Sequence, residues 1–353
     1  MPASAEPRSP APAGQRRPAF DGHPATAGEA PAGGAARLPD FYVVGHQKCG
    51  TTALYLMLRR HPQIFMPDVK EPRFFASDLR SRFAERISAP GRARTLEDYL
   101  TLFAAAAPGQ RIGEASPQYL RSREAPRLIA QARPDARIVA ILREPASFLR
   151  SFHLQMVSSN VESRRDLRRA LALEDARRRG RRIPRGCHHP EALLYSEHVR
   201  YVEQLRRFHA VFPREQVLVL IYDDFRADNA GTVKRVLRFL DVEQTVPVAP
   251  VQTKPLQAVR SLALHRIANA LRAARTNPAN AGRVARTVNA LTPARLRDED
   301  FSARWRRLAY AQPRPPSQEY MQALRRRFKG EVVALSEYLG RDLVSEWGYG
   351  DIG

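Results

Sequence analysis

An α/β fold in three layers, with a central, mainly parallel sheet flanked by helices, is what three stretches of this sequence predict. Phe41 to Val44 is a short apolar run closed by Gly45; after a polar turn, Leu54, Met57 and Leu58 recur at helical spacing. Ala136 to Leu142 is a nearly continuous apolar run of strand length, and Val217 to Ile221 is another. Runs without polar alternation suit strands buried on both faces, as parallel strands are. With 353 residues, 43% of them hydrophobic, the chain can bury a sizeable core, and one domain is expected over residues 39–353.

Residues 1–38 are rich in Pro, Ala and Gly without apolar periodicity, and read as a disordered tail. They lack the continuous apolar segment of a secretory signal, and no stretch approaches membrane-spanning length. Two cysteines, Cys49 and Cys187, make no disulfide framework, so a reducing, cytoplasmic setting is expected. The formal charge of +22 arises from 58 Lys and Arg against 36 Asp and Glu. These cations are dispersed through helices, with neither zinc-finger spacing nor a stacking aromatic series. An anionic substrate fits that better than a nucleic-acid partner, and compositional habit accounts for part of the excess.

The turn after the first strand carries the most chemistry. His46, Gln47, Lys48, Cys49 and Gly50 lead into a helix starting at Thr51. Unpaired N–H groups of a first helical turn, a lysine and the hydroxyls of Thr51 and Thr52 together make an anion cradle. An ordinary βα turn would have no packing use for the lysine and the paired threonines. The turn is P-loop-like, with a difference. A nucleotide-triphosphate P-loop places Lys after its second glycine; here Lys48 lies between Gly45 and Gly50, and Thr51 follows Gly50. This GxxKxGTT form resembles the 5′-phosphosulfate loop of the sulfotransferases that use 3′-phosphoadenosine 5′-phosphosulfate (PAPS).

Next, His61 to Met66 reads as a short strand or extended turn. In Lys70-Glu71-Pro72-Arg73-Phe74-Phe75, Pro72 biases Glu71 away from helix, which predicts a loop with aromatic anchors. In the resembling family a Lys-Glu stretch before an aromatic pair brings its lysine towards the active site. That makes Lys70 a candidate contact for the sulfate or a nucleotide phosphate; the alternative is a solvated loop charge. Thr95 to Ala104 predicts a helix with Thr95 as N-cap and Asp98 at N3.

In Arg111 to Leu120, RIGEASPQYL, Glu114 precedes a turn forced by Ser116-Pro117. A carboxylate at such a corner can face a cleft and accept a proton, or serve as an N-cap or ion-pair partner. The G-E-x-(S/T)-P-x-Y context resembles that of carbohydrate and protein-tyrosine sulfotransferases, where the glutamate is the catalytic base; small-phenol and steroid enzymes have a histidine instead. The resemblance therefore implies Glu114 as the base, with Ser116 and Tyr119 bordering the acceptor pocket.

Ser122 to Ala132 predicts a helix, and the strand ending at Leu142 is followed by Arg143-Glu144-Pro145, with Ser151 eight residues past Arg143. Ligands of parallel sheets bind at the carboxyl ends of strands. The RxPxxxxxS arrangement resembles the family's 3′-phosphate site, implying that Arg143 and Ser151 hold that phosphate. A kinase would want an acidic magnesium ligand at such a strand end; this strand ends in arginine. Family members often carry a second arginine where this chain has Phe148, and Arg150 is the nearest substitute. His153 and Gln155 face the same cleft or pack elsewhere.

Val161 to Arg185 is strongly basic and predicted helical to Gly180, a rim for an acidic or bulky acceptor. Cys187-His188-His189 lacks a further ligand at metal-binding spacing, so no metal site is expected. Glu191 to Phe208 predicts a helix, with Tyr195 and Ser196 where the family's cleft wall lies. An acidic turn, Tyr222-Asp223-Asp224-Phe225, follows the last strand, and Thr232 to Leu240 predicts a short helix. Val251 to Lys254 is a late loop in which Lys254 is a candidate for the nucleotide phosphates. Residues 255–312 predict a helical insertion serving as a lid, an acceptor site or a homodimer surface. Ser317 to Leu339 predicts a final helix stopped by Gly340, with Trp347 pinning the end.

The resemblance covers residues 41–151 through three motifs and weakens beyond them. It implies sulfuryl transfer from PAPS to an acceptor hydroxyl, or less readily an amine, leaving 3′,5′-ADP. Glu114 takes the proton, and Lys48 offsets charge on the departing phosphate oxygen. A glutamate base favours a carbohydrate, glycolipid or sugar-bearing metabolite over the more acidic phenol. The donor brings its own leaving group, so no metal is demanded. The alternatives are a nucleotide-dependent kinase and a non-catalytic nucleotide- or nucleic-acid-binding protein.

Overall fold

A computed structural model describes residues 37–79, 93–185, 187, 189–245, 258–259, 310–311 and 316–352. Nearly all of the expected tail, Lys254, and most of the expected insertion over 255–312 lie outside the described residues. Five strands, β1 (Phe41–Gly45), β2 (Ile64–Phe65), β3 (Arg111–Ala115), β4 (Arg137–Leu142) and β5 (Val217–Ile221), form one sheet in the order β2-β3-β1-β4-β5. Every pairing in it is parallel. All five residues of β1 are buried, which is why its sequence shows no polar alternation. The chain builds β2 and β3 on one side of β1 and then β4 and β5 on the other. The carboxyl end of β1 is therefore a topological switch point, where such sheets bind ligands.

The α-helices among the described residues are α1 (Thr51–Arg59), α2 (Leu96–Thr101), α3 (Ala125–Ala132), α4 (Pro145–Ser158), α5 (Leu167–Leu171), α6 (Glu174–Arg178), α7 (Tyr195–His198), α8 (Tyr201–His209), α9 (Tyr222–Ala227), α10 (Asn229–Phe239), α11 (Gln318–Leu339) and α12 (Leu343–Glu346). Two short strands, β6 (Ala258–Val259) and β7 (Tyr310–Ala311), pair antiparallel within the expected insertion. The predicted caps hold at α2, where Thr95 and Asp98 form a capping box, and at α11, which runs from a Ser317 cap to Gly340 at φ +61°.

Several predicted helices are shorter. Ser122 is not helical; its hydroxyl accepts from Ala125 N at 2.9 Å and so starts α3 three residues later. The basic stretch after Val161 divides into α5 and α6, and the acidic turn after β5 is helical as α9. The expected helix from Glu191 to Phe208 is broken between α7 and α8. There Gln204 Nε2 donates to the carbonyl oxygens of Glu197 at 2.9 Å and His198 at 3.3 Å, satisfying groups that a continuous helix would have paired itself.

Candidate active site

The cradle forms where β1 ends. Gly50, at φ +86°, caps α1 without a side-chain bond; a Cβ there would stand 3.1 Å from the rings of Tyr222 and Phe225. The left-handed turn is open to glycine. Lys48 also has positive φ, +70°, without glycine's freedom, so the loop holds a strained conformation at the mouth of the sheet. Arg143 reaches across from the end of β4: its guanidinium donates to Lys48 O at 2.9 Å and lies 4.6 Å over the Tyr222 ring. Burial, and then the Arg143 charge, lowers the pKa of Lys48. Three features thus converge: free helical N–H groups, a part-buried ammonium and a guanidinium, the surroundings an anion requires.

The Arg143 main chain is held from two sides. Tyr201 donates to Arg143 O at 2.8 Å. Glu144 caps α4, accepting from Ala146 N at 3.0 Å and Ser147 N at 2.7 Å, and receives the Tyr349 hydroxyl from the C-terminal segment. Ser151 is buried on α4 beside Arg150, whose pKa is lowered by burial and then by Arg143. A guanidinium disfavoured by burial and a neighbouring cation gains from an anion beside it.

Glu114 lies at the end of β3, with Tyr42 opposite it on β1. At the preceding Gly113 a Cβ would meet the Phe41 ring at 2.2 Å and Met66 Sδ at 2.4 Å, so the close fit of β3 to this layer requires glycine. The Glu114 side chain is fully buried. Tyr99 from α2 and Tyr119 both donate to Oε2, at 2.6 Å and 2.8 Å, whereas Oε1 has no hydrogen-bond partner. Burial pushes the carboxyl up to about 7, against the opposing pull of the Ser116, Tyr99 and Tyr119 hydroxyls and of Lys70. That is the range suited to a general base at neutral pH. Phe74 stacks on Tyr99 at 4.5 Å, and Phe75 meets the same ring edge-on at 5.4 Å.

The comparison with known proteins decides the family. A model described as Sulfotransferase family matches residues 39–246. The chain belongs to the sulfotransferases. It is 30% identical over 250 residues to human carbohydrate sulfotransferase 15, covering 58% of this chain and 44% of that one. It is 30% identical over 237 residues to human heparan sulfate glucosamine 3-O-sulfotransferase 6, covering 65% and 59%. The chain spans about half the length of the curated relatives it matches. A crystal structure of a sulfotransferase from Alicyclobacillus acidocaldarius superposes with TM-score 0.54 at 30% identity, covering 62% of this chain and 87% of that one.

Within this sulfotransferase fold the predicted site residues divide. Lys48, Gly50 and Arg143 lie at the carboxyl ends of β1 and β4, Glu114 stands on the neighbouring strand, and Ser151 is buried about two turns into α4; Thr51 is buried and Thr52 exposed at the start of α1. Gln47 accepts from Gln155 Nε2 at 3.1 Å, tying the loop to α4. Two side chains of the predicted cradle turn inward instead. His46 Nε2 donates to Gln204 Oε1 at 2.8 Å beneath Phe148, and burial lowers its pKa to about 3. Burial pushes the Cys49 thiol up to about 12. Their side chains belong to the layer under the loop, and their main chains pair with each other, Cys49 N donating to His46 O at 3.3 Å.

Lys70 is paired with Glu71 at 2.8 Å, and the same carboxylate takes Arg73 at 2.7 Å. Burial would raise the Glu71 pKa, but the two cations outweigh it and hold the carboxyl at about 2. Glu71 and Arg73 both have positive φ, and their N–H groups reach Ala115 O at 3.1 Å and Ser116 Oγ at 3.0 Å. Ser116 therefore anchors this strap as well as ending β3. Phe148 is core, stacked on Phe152, and His153 is bonded to Arg164 O at 2.8 Å, so neither faces the cleft. Tyr195 is likewise buried against Glu162. Among the described residues no group of three or more His, Cys, Asp or Glu is arranged to hold a metal ion. Tyr99, Tyr222 and Gln204 were not identified from sequence, since each reaches the site from a distant element. Tyr42 carries a register signal, but only once β3 is known to lie beside β1.

Proposed function

We propose that this sulfotransferase moves the sulfuryl group of PAPS to a hydroxyl of a carbohydrate acceptor and releases 3′,5′-ADP. One observation carries the reading: the Lys48 loop, Arg143 and Glu114 stand at the carboxyl ends of three adjoining strands, with the loop on the central one. The loop's N–H groups and Lys48 receive the phosphosulfate end of the donor. Arg143, with Ser151 and Arg150 on α4, receives the 3′-phosphate. The acceptor oxygen attacks sulfur, the bond from sulfur to the bridging oxygen breaks, and that oxygen leaves on the phosphate of 3′,5′-ADP. Lys48 stabilises the charge gathering there. The acceptor's proton passes to Glu114. Because Glu114 is fully buried, acceptor entry displaces part of the aromatic layer around it while Tyr99 and Tyr119 stay bonded to Oε2.

A carbohydrate acceptor is supported by a base whose pKa lies near neutrality, which an alcohol needs more than a phenol does, and by the names of the relatives. A reducing, cytoplasmic setting belongs to the same proposal and rests on the buried, unpaired Cys49 and Cys187. The test is transfer of label from [35S]PAPS to a panel of desulfated polysaccharides, glycolipids and phenols. Transfer to sugar hydroxyls, reduced about 10²- to 10⁴-fold in Glu114→Gln, is the expected result. Transfer confined to phenols, or untouched by Glu114→Gln, would overturn the reading.

A further inference from the structure

Glu114 is held asymmetrically, and the asymmetry has a chemical use. The Tyr99 and Tyr119 hydroxyls both land on Oε2, while Oε1 is buried and accepts no hydrogen bond. We infer that Tyr99 and Tyr119 act together as positioning residues for the base, occupying Oε2 so that Oε1 is the oxygen that takes the acceptor's proton. This rests on the proposed role of Glu114 as the base.

The hydroxyls are aimed, not merely near. Tyr119 Oη accepts from Phe75 N at 3.2 Å, which leaves its proton directed at Glu114. Tyr99 is clamped between a stacked Phe74 and an edge-on Phe103, with centroids at 4.5 Å and 5.0 Å. Burial raises the pKa of both phenols well above the ordinary tyrosine value, so each remains a donor throughout the working range of the enzyme. A carboxylate with two donors on one oxygen cannot rotate without leaving both unpaired in an apolar box, which is costly. Its free oxygen is thereby fixed in one direction.

The other groups facing this carboxyl do not supply the same restraint. Tyr42 on β1 shares the box, 6.2 Å from Tyr119 between centroids, but its hydroxyl makes no bond to the carboxylate. The Ser116 hydroxyl also lowers the Glu114 pKa, but it is held by Arg73 N and makes no bond to Oε2, and Lys70 is engaged by Glu71. Lys70 acts on Glu114 only through its charge.

The test is the pH dependence of kcat at saturating PAPS for the full chain and for Tyr99→Phe, Tyr119→Phe and the double variant, with Tyr42→Phe as control. Phenylalanine keeps each ring and removes only the hydroxyl. Losing a donor to the carboxylate raises its pKa, so the acid limb moves to higher pH, by about half to one pH unit per hydroxyl and further in the double variant. Tyr42→Phe leaves the limb in place. A ¹³C titration of Glu114 in glutamate-labelled protein reads the same shift without turnover. A limb and a Glu114 titration that stay put in folded Tyr→Phe variants would overturn the inference, as would an equal shift in Tyr42→Phe. Wild-type transfer that is lost in Glu114→Gln, combined with unmoved limbs, removes this inference alone. Absence of transfer by the wild type removes the functional reading and this inference with it.

Discussion

As the proposed base, Glu114 combines two demands that oppose each other in water: it must be ionised to take a proton, and it must be dry to hold a fixed direction. Burial meets the second and shifts the first, raising the pKa from an ordinary 4.5 to about 7. The stability consequence has a definite sign. Below about pH 4.5 the carboxyl is protonated in both folded and unfolded chains, and burial is tolerated. As pH rises towards 7 the unfolded chain ionises first, so wild-type stability falls across that window. Glu114→Gln has no proton to lose and escapes the fall. Denaturant midpoints should therefore favour the variant increasingly between about pH 5 and pH 8, by up to the order of 3 kcal/mol; parallel midpoints at both pH values would contradict a buried, raised carboxyl. At this scale the sequence was readable where chemistry is local. Lys48 inside its glycine bracket and Arg143 at its strand end announce themselves by spacing. Tyr99 does not, because it sits on α2, fifteen positions before the carboxylate it bonds.

Elements show the same division. β1, β4 and β5 were legible as apolar runs because parallel strands are buried on both faces. The caps of α2 and α11 were legible because a cap is a property of neighbouring residues. The break between α7 and α8 was not, since it depends on Gln204 bonding carbonyls that no local rule marks as free. The inward turn of His46 belongs to the same case, because Gln204 is also its partner. Gly113 gives a prediction at this scale. Gly113→Ala drives a methyl into the Phe41 ring and Met66, and overpacking of that kind costs about 1–3 kcal/mol. Thermal or denaturant unfolding should show that loss, with activity lowered because β3 carries Glu114; an unchanged midpoint would mean that the contact relaxes freely.

In the whole molecule, sheet order places the chemistry. With β1 between β3 and β4, the proposed base on one neighbour and the proposed phosphate-binding arginine on the other flank the strand that carries the loop. The matched family region ends at residue 246, yet the chain beyond it takes part: Tyr349 bonds Glu144, and Arg325 lies 3.8 Å from the same carboxylate, so the C-terminal segment braces the helix that follows Arg143. The charge of +22 predicted an anionic ligand but not where it binds; the proposed function puts it at Arg143, Arg150 and Lys48, where burial and then the Arg143 charge disfavour the charged forms of Lys48 and Arg150. The most direct measurement is therefore calorimetric titration of the full chain with 3′,5′-ADP, against ATP with magnesium, in wild type and Arg143→Ala. The structure predicts preferential binding of 3′,5′-ADP, weakened about tenfold to hundredfold in the variant by loss of a charge-assisted contact. A folded wild-type protein that ignores 3′,5′-ADP, or prefers ATP with magnesium, would contradict the account.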